Sequence, residues 1–232
     1  KELHSFFPKH FILYKPKATV SGDFYWVGKR DGVIICAVAD CTGHGVPGAF
    51  MSLLGHNILE NVIRHESSVN PAAILNALNK EIVMRFSKGS RQETVKHGMD
   101  IAIISLDTRT QTLQYAGARN ALYLVRNNEL TEIKADKQST GIVFNDGREV
   151  TYTNHVYELQ KGDMVYMFSD GFPDQKGGPD KKKFFYKPFK ELLTHVSTLS
   201  VEEQQLHLDN TITKWINGAE QIDDILVMGI QI

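Results

Sequence analysis

VIICAVADCTGHGVPGAF, Val33 to Phe50, is the stretch on which the reading of this chain turns. It opens as an apolar β-prone run, places a carboxylate, Asp40, at the end of that run, and passes through a glycine-rich turn into a helix. Pro47 falls near the first turn of that helix, where a missing amide is tolerated. Phe50, Leu53, Leu54, Ile58, Leu59, Val62 and Ile63 then recur at three- and four-residue spacing, the period of an amphipathic helix. Upstream, Phe24 to Lys29 is a second β-prone run, joined to the first by Asp31-Gly32, a two-residue hairpin signal. The literal pattern Gly43-x-Gly45-x-x-Gly48 after a strand matches a dinucleotide-binding turn. That reading fails on three counts. Asp40 would face the pyrophosphate, Pro47 deletes an amide near the helix start, and the flanking unit is a hairpin rather than βαβ. The glycines instead permit a close approach of backbone to a metal-bound phosphate, or form a turn with no ligand at all.

Further outward the pattern stays consistent. Phe11 to Lys17 is extended, and Asn70-Pro71 caps a second amphipathic helix through Ile74, Leu75, Leu78, Ile82, Val83 and Phe86. From Met99 the period changes to that of strands: Met99–Leu106, Gln111–Gly117, Ala121–Arg126, Glu129–Ile133, Val150–Glu158 and Met164–Ser169, with turns at 107–110, at Asn127-Asn128 and at Lys161-Gly162-Asp163. Helices near Pro188–Ser197 and Val201–Asn217 precede a last apolar strand, Ile225 to Ile230. Hairpin-linked strands interrupted by helix pairs predict an antiparallel α+β layered domain.

Composition narrows the function. In 232 residues, 26 Lys+Arg oppose 27 Asp+Glu for a net charge of −1, which gives no electrostatic ground for a nucleic acid or membrane partner. No apolar run approaches the roughly 18 residues of a membrane span. The chain begins at Lys1 with no basic-then-apolar leader, as expected of a fragment of a longer protein with no signal peptide. Two cysteines, Cys36 and Cys41, exclude a disulfide scaffold. Without CxxC they also exclude a thiolate zinc site, and no Arg follows either at the spacing of a cysteine phosphatase loop. They are expected to be reduced packing residues of a cytosolic protein. One tract concentrates basic charge, Lys176, Lys181, Lys182, Lys183, Lys187 and Lys190, interleaved with Phe184, Phe185, Tyr186 and Phe189. It is a solvated loop leading into a helix, or a docking loop for an acidic phosphoprotein.

Carboxylates mark the strand ends. Asp40 and Asp170 close strands, Asp223 opens the last one, and Asp23, within SGDFYW, starts a fourth. Singly, each is a turn-former or cap. Gathered on one rim they would repel one another unless a cation neutralised them. An all-oxygen donor set selects Mg²⁺ or Mn²⁺ over Zn²⁺.

SGDFYW, VADCTGHGVPGAFMS, GMDIAI, YAGARNALYLV, FSDG and DDILVMGI, in this order, resemble the bacterial PPM/PP2C-type serine/threonine phosphatases of the SpoIIE/RsbU group. The resemblance implies an αββα sandwich of two antiparallel sheets flanked by helices over residues 11–232, with 1–10 as the end of an upstream linker. It implies two Mn²⁺ or Mg²⁺ ions and a shared hydroxide that attacks phosphorus in line. In this resemblance Asp40 bridges both metals, the main-chain oxygen of Cys41 binds one, and Asp170 and Asp223 hold the other. Asp23 binds the first directly or through water. Asp224 competes with Asp223 for the last role. Arg119 and Lys17 are the candidates for binding the phosphate, while His44, His97 and Asp100 could support the site. Cys41 stands where relatives often have Gly, and Leu226 where Thr is common. Ala118-Arg119-Asn120 lacks the Asp of a third metal site. The implied partner is a phosphorylated STAS-type anti-sigma-factor antagonist in the cytoplasm. An upstream sensor domain, often membrane-bound in relatives, would control the domain, and a homodimer stays open. The alternatives are a catalytically weak phosphoprotein-binding module and a phosphatase of small phosphate esters.

Overall fold

The hairpin at Asp31-Gly32 forms as its sequence dictates: both residues have positive φ, 53° and 84°, the type I′ geometry that suits the twist of paired strands. It joins β2 (Asp23–Arg30) to β3 (Val33–Cys41). The structure is a computed structural model that describes residues 2–43, 45–86, 98–143 and 149–232; His44 and His97 lie outside the described residues. β3 continues into α2 (Gly45–His65), and α3 (Pro71–Phe86) follows, its start capped by Asn70 Oδ1 accepting the amides of Ala72 at 2.9 Å and Ala73 at 3.1 Å.

Two antiparallel five-stranded sheets result. One has the order β2-β3-β4-β5-β8, with β4 at Met99–Asp107, β5 at Thr112–Ala118 and β8 at His155–Glu158. The other has the order β1-β12-β9-β6-β7, with β1 at His10–Lys15, β6 at Leu122–Arg126, β7 at Glu129–Ile133, β9 at Met164–Phe168 and β12 at Ile225–Gln231. Strand alternation assigns the layers. On β3, Ile35, Ala37, Ala39 and Cys41 pack under α2 and α3, while Ile34, Cys36 and Val38 enter the core between the sheets with Met167, Leu226 and Met228. The outer face of the second sheet, through Tyr123, Tyr166, Phe168 and Val227, packs on α5 (Tyr186–Val196) and α6 (Val201–Ile216). Helix, sheet, sheet, helix is the expected αββα sandwich. Among the described residues no helix is long and apolar enough to cross a membrane.

Three local expectations are revised. The strand expected over Val150–Glu158 shortens to β8, because side chains take its donors: the amide of Tyr152 goes to Asn76 Oδ1 at 3.0 Å and that of Thr153 to Asp136 Oδ2 at 2.7 Å. Residues 2–6 form a short helix, α1, whose Leu3, together with Phe7 just after the helix, is buried in the inter-sheet core. The basic tract folds into a small hairpin, β10 (Lys176–Gly177) with β11 (Lys182–Lys183), after the one-turn helix α4 (Gly171–Asp174).

Candidate active site

Register brings the carboxylates together. On the first sheet Asp23 pairs across to Asp40, and Asp40 across to Asp100. Directly opposed residues share a face, and Asp40 lies on the same face of β3 as Cys36 and Val38, which enter the inter-sheet core. The three side chains therefore form a row at the rim of the sandwich, facing the other sheet. There, β9 and β12 are neighbours, and their ends are tied by the Ser169 amide to Leu226 O at 2.9 Å and the Leu226 amide to Ser169 Oγ at 3.0 Å. Asp170 follows the first of these strands and Asp223 precedes the second.

The electrostatics record the convergence. Asp23, 3% exposed, has its pKa pushed up to about 8, first by burial and then by repulsion from Asp224, Asp223 and Asp170, against a lowering hydrogen bond from Ser169. Asp40 is pushed up to about 10 by burial and by Asp23, Asp170, Asp223 and Asp100. Asp170 rises to about 6 through burial, Asp174, Asp223 and Asp100, and a hydrogen bond with Asp40 opposes the rise. Carboxyls that resist ionisation because they are buried and then because other carboxylates face them form a site that a cation would relax.

The donor set fits a hard divalent ion. Every side-chain candidate offers oxygen, and Asp23 Oδ2 is buried without a hydrogen-bond partner among the described residues, an acceptor in want of a proton or a cation. Among the described residues the acidic groups line the rim without closing into a compact three-ligand cluster. Cys41 turns its thiol into the core under α2, where burial pushes it up, so only its main chain reaches the rim. Its carbonyl oxygen and that of Gly43 press on Gly22, where an added Cβ would stand 3.3 and 2.4 Å from them. Gly48 serves the same contact, its Cβ position lying 2.2 Å from Gly43 O. Close packing of the two loops at the rim thus accounts for Gly48.

Asp223 and Asp224 separate cleanly. Asp224 is 2% exposed, and its carboxylate accepts the main-chain amides of Lys17 and Gly22, each at 2.7 Å. Those bonds fasten the loop that delivers Asp23. Asp223 is half-buried, and its Oδ1 accepts only the neighbouring amide of Asp224, at 2.9 Å. The tandem acidic pair left the choice open in the sequence, and the fold gives the two side chains different hydrogen-bond partners.

Arg119 takes a left-handed conformation, φ 61°, after β5. Its Nε lies 3.0 Å from Asp100 Oδ2, and its side chain is 59% exposed. The other Asp100 oxygen accepts Ser139 Oγ, and Asn120 Nδ2 donates to the Asp100 main chain at 3.0 Å. Asp100 is thereby engaged in holding a guanidinium at the rim. Lys17 gives the region its main-chain amide. Ser139 escaped the sequence analysis, since no local spacing points to it, and Ser169 and Tyr186 were named there only as parts of a strand and of the basic tract. The tyrosine hydroxyl is raised to about 12, chiefly by burial and then by Asp170, Asp174, Asp40 and Asp100.

A family model described as stage II sporulation protein E (SpoIIE) matches residues 30–232. The SiaA-PP2C domain of Pseudomonas aeruginosa superposes with a TM-score of 0.88 at 30% identity, over 100% of this chain and 89% of that one. The phosphoserine phosphatase RsbU of Bacillus subtilis (strain 168) is 24% identical over 213 residues, 85% of this chain and 59% of that protein. The chain therefore spans about three fifths of the length of that curated relative. The catalytic domain of the serine threonine protein phosphatase PstP, solved in complex with 2 manganese ions, shares the fold at a TM-score of 0.66 and 19% identity, over 96% of this chain and 97% of that one.

Proposed function

This chain belongs to the SpoIIE family, and on that premise we propose that it is a PP2C-type phosphatase that hydrolyses phosphoserine or phosphothreonine with the help of two Mn²⁺ or Mg²⁺ ions. The observation that carries the reading is the in-register row Asp23, Asp40 and Asp100 facing Asp170 and Asp223 across the rim, with the buried Asp23 Oδ2 left unpaired.

Asp40, central among these groups, would help hold both ions, with Asp23 and the Cys41 main-chain oxygen as the further ligands of one and Asp170 and Asp223 as those of the other. Ions bound there would supply activation of water and neutralisation of charge on the phosphoryl oxygens. The chain's own groups do the rest. Arg119, steered by Asp100, binds a phosphoryl oxygen and orients the ester. Asp224 holds the Lys17–Gly22 loop and so keeps Asp23 aimed at the rim. Both thiols are buried and pushed up from their ordinary values, so neither supplies a thiolate nucleophile. Water is the nucleophile, and no covalent phosphoenzyme forms.

The finer parts of the reading are a folded STAS-type phosphoprotein as substrate and cytoplasmic action under an upstream sensor. The test is hydrolysis of p-nitrophenyl phosphate by protein stripped with EDTA and then given Mn²⁺. Activity should vanish and return; turnover indifferent to both treatments would defeat the proposal.

A further inference from the structure

Phe185 has φ 70° and ψ 154°, a region glycine enters readily and a bulky residue rarely does. It ends the hairpin that is stitched to the turn after Asp170. The Phe185 amide donates to Pro173 O at 2.7 Å, the Phe184 amide donates to Gln175 O at 3.0 Å, and Lys183 Nζ lies 2.8 Å from Asp174. Phe184 points inward, edge-on to Phe172 at 5.2 Å and to Trp215 at 5.4 Å between ring centroids. The two residues after it are left in solvent, Phe185 53% exposed and Tyr186 43% exposed. A phenyl ring held out in water by a disfavoured backbone contributes little to folding, so its role belongs to something outside the core.

The surroundings say what that something is. The Phe185 amide and Lys183 both bind α4, the single turn that directly follows Asp170, so the aromatic pair adjoins the strand end that carries this rim carboxylate. Beside it stand exposed lysines. Lys182 and Lys183 are neutralised by Asp180 and Asp174, whereas Lys176, Lys181 and Lys187 are exposed and lack a carboxylate partner among the described residues. Exposed aromatic anchors next to uncompensated cations suit an anionic chain segment that also carries a large apolar side chain.

We propose that Phe185 and Tyr186, with Lys181 and Lys187, are the docking surface for the phosphoprotein substrate, gripping an acidic, apolar-bearing stretch beside the phosphoserine. The inference rests on the phosphatase reading and names what that site selects.

Its test uses Mn²⁺-loaded protein and three substrates: a phosphoserine peptide flanked by glutamates and a leucine, one flanked by alanines, and p-nitrophenyl phosphate. The acidic, leucine-bearing peptide should be preferred over the alanine one by about tenfold in kcat/KM, expressed in KM. Phe185→Gly should bring that ratio close to one while raising the Tm, because glycine accepts this φ. Phe185→Tyr, which keeps a ring, should retain the preference. A wild type without preference, or a preference undiminished in Phe185→Gly, would overturn the proposal. So would a fall in Tm for that variant, which would make the ring structural. A dimer that dissociates on the same substitution, seen by sedimentation, would overturn it in favour of a second copy of the chain. If the wild type hydrolysed none of the three, p-nitrophenyl phosphate included, the phosphatase reading itself would fail and the docking surface with it.

Discussion

Replacing Asp224 by alanine should cost far more stability than replacing its neighbour Asp223, although the two are chemically identical and adjacent. The Asp224 carboxylate, 2% exposed, receives two main-chain amides at 2.7 Å. A hydrogen bond to a charged group contributes about 1.5–3 kcal/mol, so losing both costs roughly 3–6 kcal/mol, with the Gly22 amide left buried and unpaired. Against a typical total of about 5–15 kcal/mol, that is a large fraction. Asp224→Asn keeps one acceptor and should lose about 2 kcal/mol. Asp223 gives up one bond to an adjacent amide, and its removal relieves repulsion on Asp23, Asp40 and Asp170, so Asp223→Ala should lie within about 0.5 kcal/mol of wild type. Urea unfolding in EDTA reads the stabilities, and Mn²⁺ calorimetry reads the affinity that Asp223→Ala should lose. An Asp224→Ala protein of unchanged stability that no longer binds Mn²⁺ would refute the division of roles.

Two further outcomes follow from the same geometry. The pKa values of Asp23, Asp40 and Asp170 are raised in the folded chain, so folding favours their protonated forms. Their contribution is fully present below the unfolded value, near pH 4, and is lost as pH rises through about 6, 8 and 10. The Tm in EDTA should therefore fall from pH 5 to pH 8, and Mn²⁺ should restore it at the upper end; a metal-free Tm that rises over that interval would contradict the shifts. Arg119→Ala should lower kcat/KM for p-nitrophenyl phosphate by roughly tenfold, mainly through KM, because a half-exposed guanidinium binds the phosphoryl group without making the nucleophile. Unchanged kinetics would return Arg119 to the role of a partner for Asp100 alone.

What the sequence disclosed was what local chemistry decides. Asp31-Gly32 and Asn127-Asn128 both take the positive φ values their residue types suggest, and Asn70 caps α3 as its position before Pro71 implied. Asp40 lies at a strand end because an apolar run stops there. Strand order was not legible: β12, last in the chain, lies between β1 and β9, a pairing set by burial of both faces across a long sequence separation. For the same reason the sequence offered Asp100 as a support for the site without its place, and register put it opposite Asp40. The basic, aromatic tract was visible in the sequence, but the turn at Phe184–Tyr186 was not, since the backbone of Phe185 takes a conformation that favours glycine.

Asp40 bears the central claim. The most direct measurement pairs phosphoserine-peptide hydrolysis with Mn²⁺ calorimetry for wild type and Asp40→Asn. The account predicts turnover that requires Mn²⁺ in the wild type, and in the variant a folded protein with at least about a hundredfold less activity and weakened Mn²⁺ binding. Retention of more than about a tenth of the rate by Asp40→Asn would contradict it.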